Sequence, residues 1–179
     1  YTILLYGLDI VVGYVGQVSL GHAALFGIGS YTAGVLYFHF GWTIWGTLPA
    51  SIVVTSIFGG ILALPALKVI GPYLAMVTLA FGTIAQILIN EMTWMTEGPL
   101  GIKIPKPELM GVPMTKAEYF WMVCIILILS LIVVDRFVKS QIGRAFEALR
   151  DSPIACDCMG VSVYRYKVIA FVISAAFAG

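Results

Sequence analysis

Charge is what this chain has least of. Only 11% of its 179 residues are Asp, Glu, Lys or Arg, and none falls between residues 10 and 67. Residues 69–90, 119–134 and 168–179 are equally free of charge. A helix crossing a bilayer takes about 20 apolar residues, and a charge at the bilayer centre costs roughly 2.5–3.5 kcal/mol on insertion scales. Charge is missing where lipid would forbid it. With 60% hydrophobic residues and a mean hydropathy of +1.00, an ordinary soluble domain is excluded.

Other absences narrow the function. Three cysteines are too few and too unevenly spaced for a disulfide framework. Cys156-x-Cys158 has no histidine near it and reads as two small residues on a short helix rather than a metal site. A net charge of +1 with no basic block gives nucleic acid nothing to hold. No G-x-x-x-x-G-K-[ST] occurs, so ATP is not bound through a P-loop. No His/Glu metal motif or nucleophile–base pair sits at membrane depth, which argues against an intramembrane enzyme. The chain starts and stops inside apolar runs, and residues 1–179 offer no signal peptide to read. The expectation is a single transmembrane domain over residues 1–179, part of a longer permease-sized chain.

The spanning form is helical, because the runs are continuously apolar rather than alternating. Spans are predicted at residues 1–12, 23–40, 48–67, 70–90 and 119–135, with another opening at Tyr166. The fold class is all-α, a polytopic transmembrane bundle. Six basic residues in 136–167 (Arg136, Lys139, Arg144, Arg150, Arg165, Lys167) place that segment in the cytoplasm by the positive-inside rule. Residues 91–118, with three lysines against four acids, lie outside. Lys68 is then inside and residues 41–46 outside. Tyr37, Phe38, Phe40, Trp42 and Trp45 mark the outer interface, with Trp94, Tyr119, Phe120 and Trp121 at the same level. Small residues four apart (Gly29/Ala33, Ser30/Gly34, Ser56/Gly60, Gly59/Ala63) suit close helix packing in lipid.

Function is carried by what interrupts the apolar runs. As one straight helix, residues 1–39 would be about 58 Å long, against about 30 Å of hydrocarbon. The helix must break or turn re-entrant between Gly13 and His22, where three glycines, Gln17, Ser19 and His22 cluster. Transporters build solute paths from such breaks, and a tight turn at the inner surface is the alternative. His22 has no partner that would make it a metal ligand or proton carrier and reads as a hydrogen-bonded structural residue. Asp9 is the one acid in the first apolar run; intramembrane acids are functional candidates, and a helix-cap role is equally open. Asp9, Gln17, Ser19 and His22 form the candidate substrate path. Gln86, Asn90 and Glu91 read as polar residues of the outer interface, and residues 96–102 as an external turn-rich loop.

At the inner face, residues 143–150 read as an amphipathic helix lying on the membrane surface. A second, short helix follows: Asp151 or Ser152 caps it, Pro153 fits its first turn and Gly160 suits the position after its end. Pro153, Ile154, Ala155, Cys156, Asp157, Cys158, Met159 and Gly160 are therefore the candidate docking segment for a soluble partner.

Together these segments resemble the inner-membrane permeases of branched-chain amino-acid ABC transporters, the LivM-like subunit in particular. The likeness rests on the run from Gly13 to Ala24 (GYVGQVSLGHAA), Phe26 to Ala33 (FGIGSYTA), Gly71-Pro72-Tyr73 through Leu79, and Gly98-Pro99-Leu100-Gly101-Ile102. It continues in Ser140-x-Ile142-Gly143-Arg144-Ala145 through Gly160, and in Tyr166-Lys167. The resemblance implies a permease subunit of an ATP-driven importer in the bacterial inner membrane. It further implies a second permease subunit, two cytoplasmic ATP-binding subunits and an external solute-binding protein. ATP would be used by the partners, with no cofactor on this chain, and Ala155–Gly160 would couple to the ATPase within the 136–167 loop. Cys156 and Cys158 stand where the family usually has alanine, and Asp9 where many relatives carry Asn. The competing class is an ATP-independent secondary transporter or channel. It would be expected to show paired intramembrane charges or a pore-lining ring, and only Asp9 qualifies.

Overall fold

A computed structural model describes residues 1–66, 69, 71–96, 98, 101, 102, 108, 109, 112, 113 and 115–179. The expectations at Leu67, Lys68, Ile70, Glu97, Pro99, Leu100, Lys103 and Lys106 lie outside the described residues.

The chain is helical nearly throughout. In order it forms α1 (Thr2–Asp9), a π-helical turn (Ile10–Tyr14), α2 (His22–Phe40), α3 (Ile44–Ala66), α4 (Pro72–Glu91), the single turn α5 (Thr93–Thr96), α6 (Lys116–Val138), α7 (Gln141–Asp151), α8 (Pro153–Cys158) and α9 (Val163–Ala178). A two-residue antiparallel pair, β1 (Glu108–Leu109) with β2 (Val112–Pro113), sits between α5 and α6. Four helices, α2, α3, nearly all of α4, and α6, are long and apolar enough to cross a membrane.

The bundle centre is a seam between α3 and α9, with α2 and α1 packed on either side. Small residues set its closeness. A methyl group at Gly59 of α3 would fall onto Ala175 and lie 3.0 Å from the Phe171 carbonyl oxygen of α9. Leu62, Ala63 and Ala66 of α3 and Ala170, Phe171 and Ala175 of α9 fill the seam. The Gly59/Ala63 pair thus does what its spacing predicts, bringing two backbones together in lipid. Of the other small-residue pairs, Gly29 and Gly34 are buried while Ser30 is exposed.

Phe40 at the end of α2, Ala50 near the start of α3, and Leu88 and Met92 at the end of α4 line one apolar cavity of about 500 Å³. Phe38, Phe40, Trp42, Trp45, Trp94, Tyr119, Phe120 and Trp121 all present exposed rings. That is the placement an interfacial aromatic belt needs. At the start of α6, the Thr115 N–H donates to Glu118 Oε2 at 2.9 Å, giving one orphan backbone donor a partner.

The inner-face loop folds as its capping residues predict. Ser140 caps α7, its hydroxyl oxygen accepting from Ile142 N–H at 3.2 Å. Ser152 ends α7 and also begins α8, accepting from Ala155 N–H at 3.3 Å. Gly160 follows with φ +78°, the left-handed conformation glycine adopts without strain. The predicted surface helix differs in one respect. The apolar face of α7 is covered by the protein and not by lipid: Phe146 and Leu149 are buried. The Phe146 ring sits 5.8 Å from that of Phe137 and 6.3 Å from that of Tyr166. Facing rings from α6 and α9 shield that stripe on the bundle side. Replacing Ser152 with alanine is expected to destabilise α8 by about 1 kcal/mol, the usual worth of an N-cap. Faster amide hydrogen exchange across residues 153–158 reads it out, and unchanged exchange would show the cap is idle.

Candidate functional site

The first membrane segment breaks where its glycines predict. Residues 15–21 are non-helical, after the π-helical turn at Ile10–Tyr14. π-turns occur mostly as single insertions, often at functional sites. The break is folded tightly back on the bundle. Gln17 N–H donates to the Val11 carbonyl at 2.9 Å. Leu20 N–H donates to Thr78 Oγ1 of α4 at 2.9 Å. Gly21 lies so close to α4 that a methyl there would stand 2.7 Å from the Thr78 carbonyl oxygen. Thr78 is six residues into α4, or about 9 Å along its axis. The end of the break therefore lies alongside the α4 span, while its beginning touches Arg150 of the inner-face loop. This irregular backbone is covered at Val15, Ser19 and Gly21 and open at Gly16, Val18 and Leu20; membrane depth tolerates such backbone only where it is buried in protein or lines a watery cavity.

The four candidate path residues do not share one environment. Asp9 is exposed at the end of α1, its carboxylate lying over the space that a side chain on Gly13 would occupy. Gln17 is half-buried. Ser19 and His22 are each 6% exposed. His22 belongs to a buried polar contact between three helices. Ser174 of α9 donates its hydroxyl to the Gly7 carbonyl of α1 at 2.6 Å, and its oxygen lies 3.5 Å from His22 Nδ1. Such a contact knits helices together in lipid, while His22 Nε2 is buried without a hydrogen-bond partner among the described residues.

A polar cleft was not foreseen. Between α2 and α4 lies a cavity of about 470 Å³, with Gly27 and Tyr31 on one wall and Gly82, Thr83, Gln86 and Asn90 on the other. Thr83, Gln86 and Asn90 lie one turn apart on a single face of α4, and all three are exposed. Amide side chains on a membrane helix face a neighbouring subunit or a watery cavity far more readily than lipid. Sequence reasoning assigned Gln86 and Asn90 to the outer interface. The signal it passed over was their three-to-four spacing with Thr83, opposite the small residues Ala24 and Gly27 on α2.

The candidate docking segment stands out from the bundle after α7. Cys156 is buried and anchors α8, with its carbonyl accepting from Val161 N–H at 2.9 Å. Ile154 is 79% and Met159 84% exposed. Pro153, Ala155, Asp157, Cys158 and Gly160 are exposed as well. Among the described residues no group of three or more His, Cys, Asp or Glu side chains could hold a metal ion.

A multi-pass helical membrane protein with a broken first segment and a short capped helix after α7 is what the fold and site define. The chain belongs to the family described as the branched-chain amino acid transport system / permease component, whose model matches residues 1–179. It is 39% identical over 204 aligned positions to the high-affinity branched-chain amino acid transport system permease protein LivM of Salmonella typhimurium, covering 100% of this chain and 48% of that protein. LivM of Escherichia coli K12 matches with the same identity and coverage. The permease protein LivH of Escherichia coli K12 is 22% identical over 197 positions, covering 99% of this chain and 63% of that protein. The chain thus spans about half the length of its LivM relatives. No solved structure matches it.

Proposed function

We propose that this chain belongs to the membrane-spanning subunit of an ATP-driven importer of leucine, isoleucine, valine or related amino acids and amides, in the bacterial inner membrane. The observation that carries this reading is α8, a capped helix holding Ile154 and Met159 clear of the bundle at the end where the basic residues collect. In this reading two separate cytoplasmic subunits bind and hydrolyse ATP, and one of them seats on Pro153–Gly160. A second, LivH-like permease subunit closes against this one, and an external solute-binding protein delivers the amino acid. The relatives' names, LivM and LivH, support the pairing of two permease subunits. The α2/α4 cleft, with Thr83, Gln86 and Asn90, supplies polar groups where subunit and solute would meet. Movement of the ATPases would switch the cleft's access from one side of the membrane to the other.

The test is uptake of radiolabelled leucine into vesicles holding the full transporter, with its binding protein outside and ATP inside. Uptake is expected to require internal ATP and to survive collapse of ion gradients. Uptake that ran on an ion gradient without ATP would establish the secondary-transporter alternative instead.

A further inference from the structure

The inner-face helices and the break in the first membrane segment are far apart in sequence and in direct contact in space. Arg150, in the last turn of α7, donates from Nη1 to the carbonyl of Gly13 at 2.8 Å across a sequence separation of 137 residues. Gly13 lies in the π-helical turn, at the end of a helix where backbone carbonyls lack intrahelical partners. A charged donor gives this carbonyl a stronger bond than a neutral one would. The stem of Arg150 also lies across Gly16. Its Cγ stands 3.3 Å from where a Cβ on Gly16 would be. Gly16 has φ +71°, a conformation that disfavours a side chain, and a Cβ there would press the Arg150 stem aside by a few tenths of an ångström.

The other side of this contact is rigid. Phe146 and Leu149 seat α7 in the core. Ser152 caps the end of α7 and the start of α8 at once, leaving no slack between the helix that carries Arg150 and the helix offered to a soluble partner.

We propose that Arg150 is a positioning residue that ties α8 to the Gly13–Gly16 turn, so that a displacement of the docking helix reshapes the break in the first membrane segment. Its part that concerns transport rests on the permease reading above; the tie itself does not. A push on α8 moves α7 as a body. The guanidinium then either carries the Gly13 carbonyl with it or lets go, and the π-turn is the element free to change register.

Two measurements test this. The first needs no transport: amide hydrogen exchange on the assembled complex, comparing wild type, Arg150→Ala and Arg150→Lys. Exchange over residues 10–21 is expected to quicken in Arg150→Ala and to return toward wild type in Arg150→Lys, while α3 and α9 stay unchanged. The second is the ratio of leucine taken up to ATP hydrolysed in vesicles, expected to fall roughly fivefold or more in Arg150→Ala, the low end of typical coupling between sites. Unchanged exchange at residues 10–21 would overturn the tie. Exchange quickened equally in α3 and α9 would overturn it too, by marking Arg150 as a general stabiliser. An altered tie with an unchanged ratio would overturn its part in coupling. Wild-type vesicles that take up no leucine would count against the permease reading alone, since the exchange comparison stands without them.

Discussion

Replacing residues 153–160 with a flexible Gly/Ser linker is expected to disconnect ATP hydrolysis from solute. Hydrolysis should no longer rise when the loaded binding protein is added, and leucine uptake should fall roughly 5- to 150-fold, the range of typical coupling free energies. The reason lies in how α8 is built. Six residues are too few to form a stable helix alone. It stays folded because Ser152 caps it, because Cys156 is buried beneath it, and because the Cys156 carbonyl accepts from Val161 N–H. What that construction presents is Ile154 and Met159, both more than three-quarters exposed. Large apolar side chains held rigidly outward are what a desolvated contact needs at its centre. A linker keeps the chain connected and removes that contact. The double substitution of Ile154 and Met159 by aspartate should reproduce the loss with α8 still folded. If stimulation by the loaded binding protein survived both changes, the ATPase would have to seat elsewhere.

Alanine at position 143 is expected to cost about 3 kcal/mol, the upper end of what overpacking usually does. Gly143 sits in the first turn of α7, and the atom its methyl group would strike is the Val138 carbonyl oxygen at the end of α6. A flexible side chain could swing aside; a backbone carbonyl between two helices joined by Lys139 and Ser140 cannot. The damage should show as a lowered Tm in detergent and loss of the assembled complex. The matched control is Gly27→Ala on α2, where nothing lies within 4 Å of the added methyl; alanine also favours a helix over glycine by about 1 kcal/mol. Equal stability of the two variants would show that the α6–α7 corner yields more easily than its geometry implies.

Much of this was legible in the sequence, for stated reasons. The charge gaps place the membrane helices because the cost of a buried ion is large and local. Asp151-Ser152-Pro153 and Gly160 delimit α8 because capping acts over one turn. The glycines between Gly13 and Gly21 locate the break because length alone forbids a straight helix. Three things were not legible. The bond from Arg150 to Gly13 joins residues 137 apart, and no local pattern announces it. The apolar stripe of α7 read as a membrane surface because periodicity reports that a face is apolar, not what covers it; Phe137 and Tyr166 do. The α2/α4 cleft needed both helices placed before the Thr83, Gln86 and Asn90 face could be seen to look onto Gly27 and Tyr31.

The sixth helix carries a consequence of its own. Lys116–Val138 has 23 residues, and only 6% of its most apolar window is buried within the bundle. Its charge-free run, residues 119–134, is about 24 Å long at 1.5 Å per residue, several ångströms less than an average bilayer's hydrocarbon. A span shorter than its lipid thins the bilayer or draws its flanking charges toward the interface, and this one ends in the tight corner at Gly143 that carries α7 and α8. Bilayer thickness thereby bears on where the apolar knob of Ile154 and Met159 stands relative to the membrane surface, so the lipids of a vesicle enter the protein's mechanics as an adjustable length.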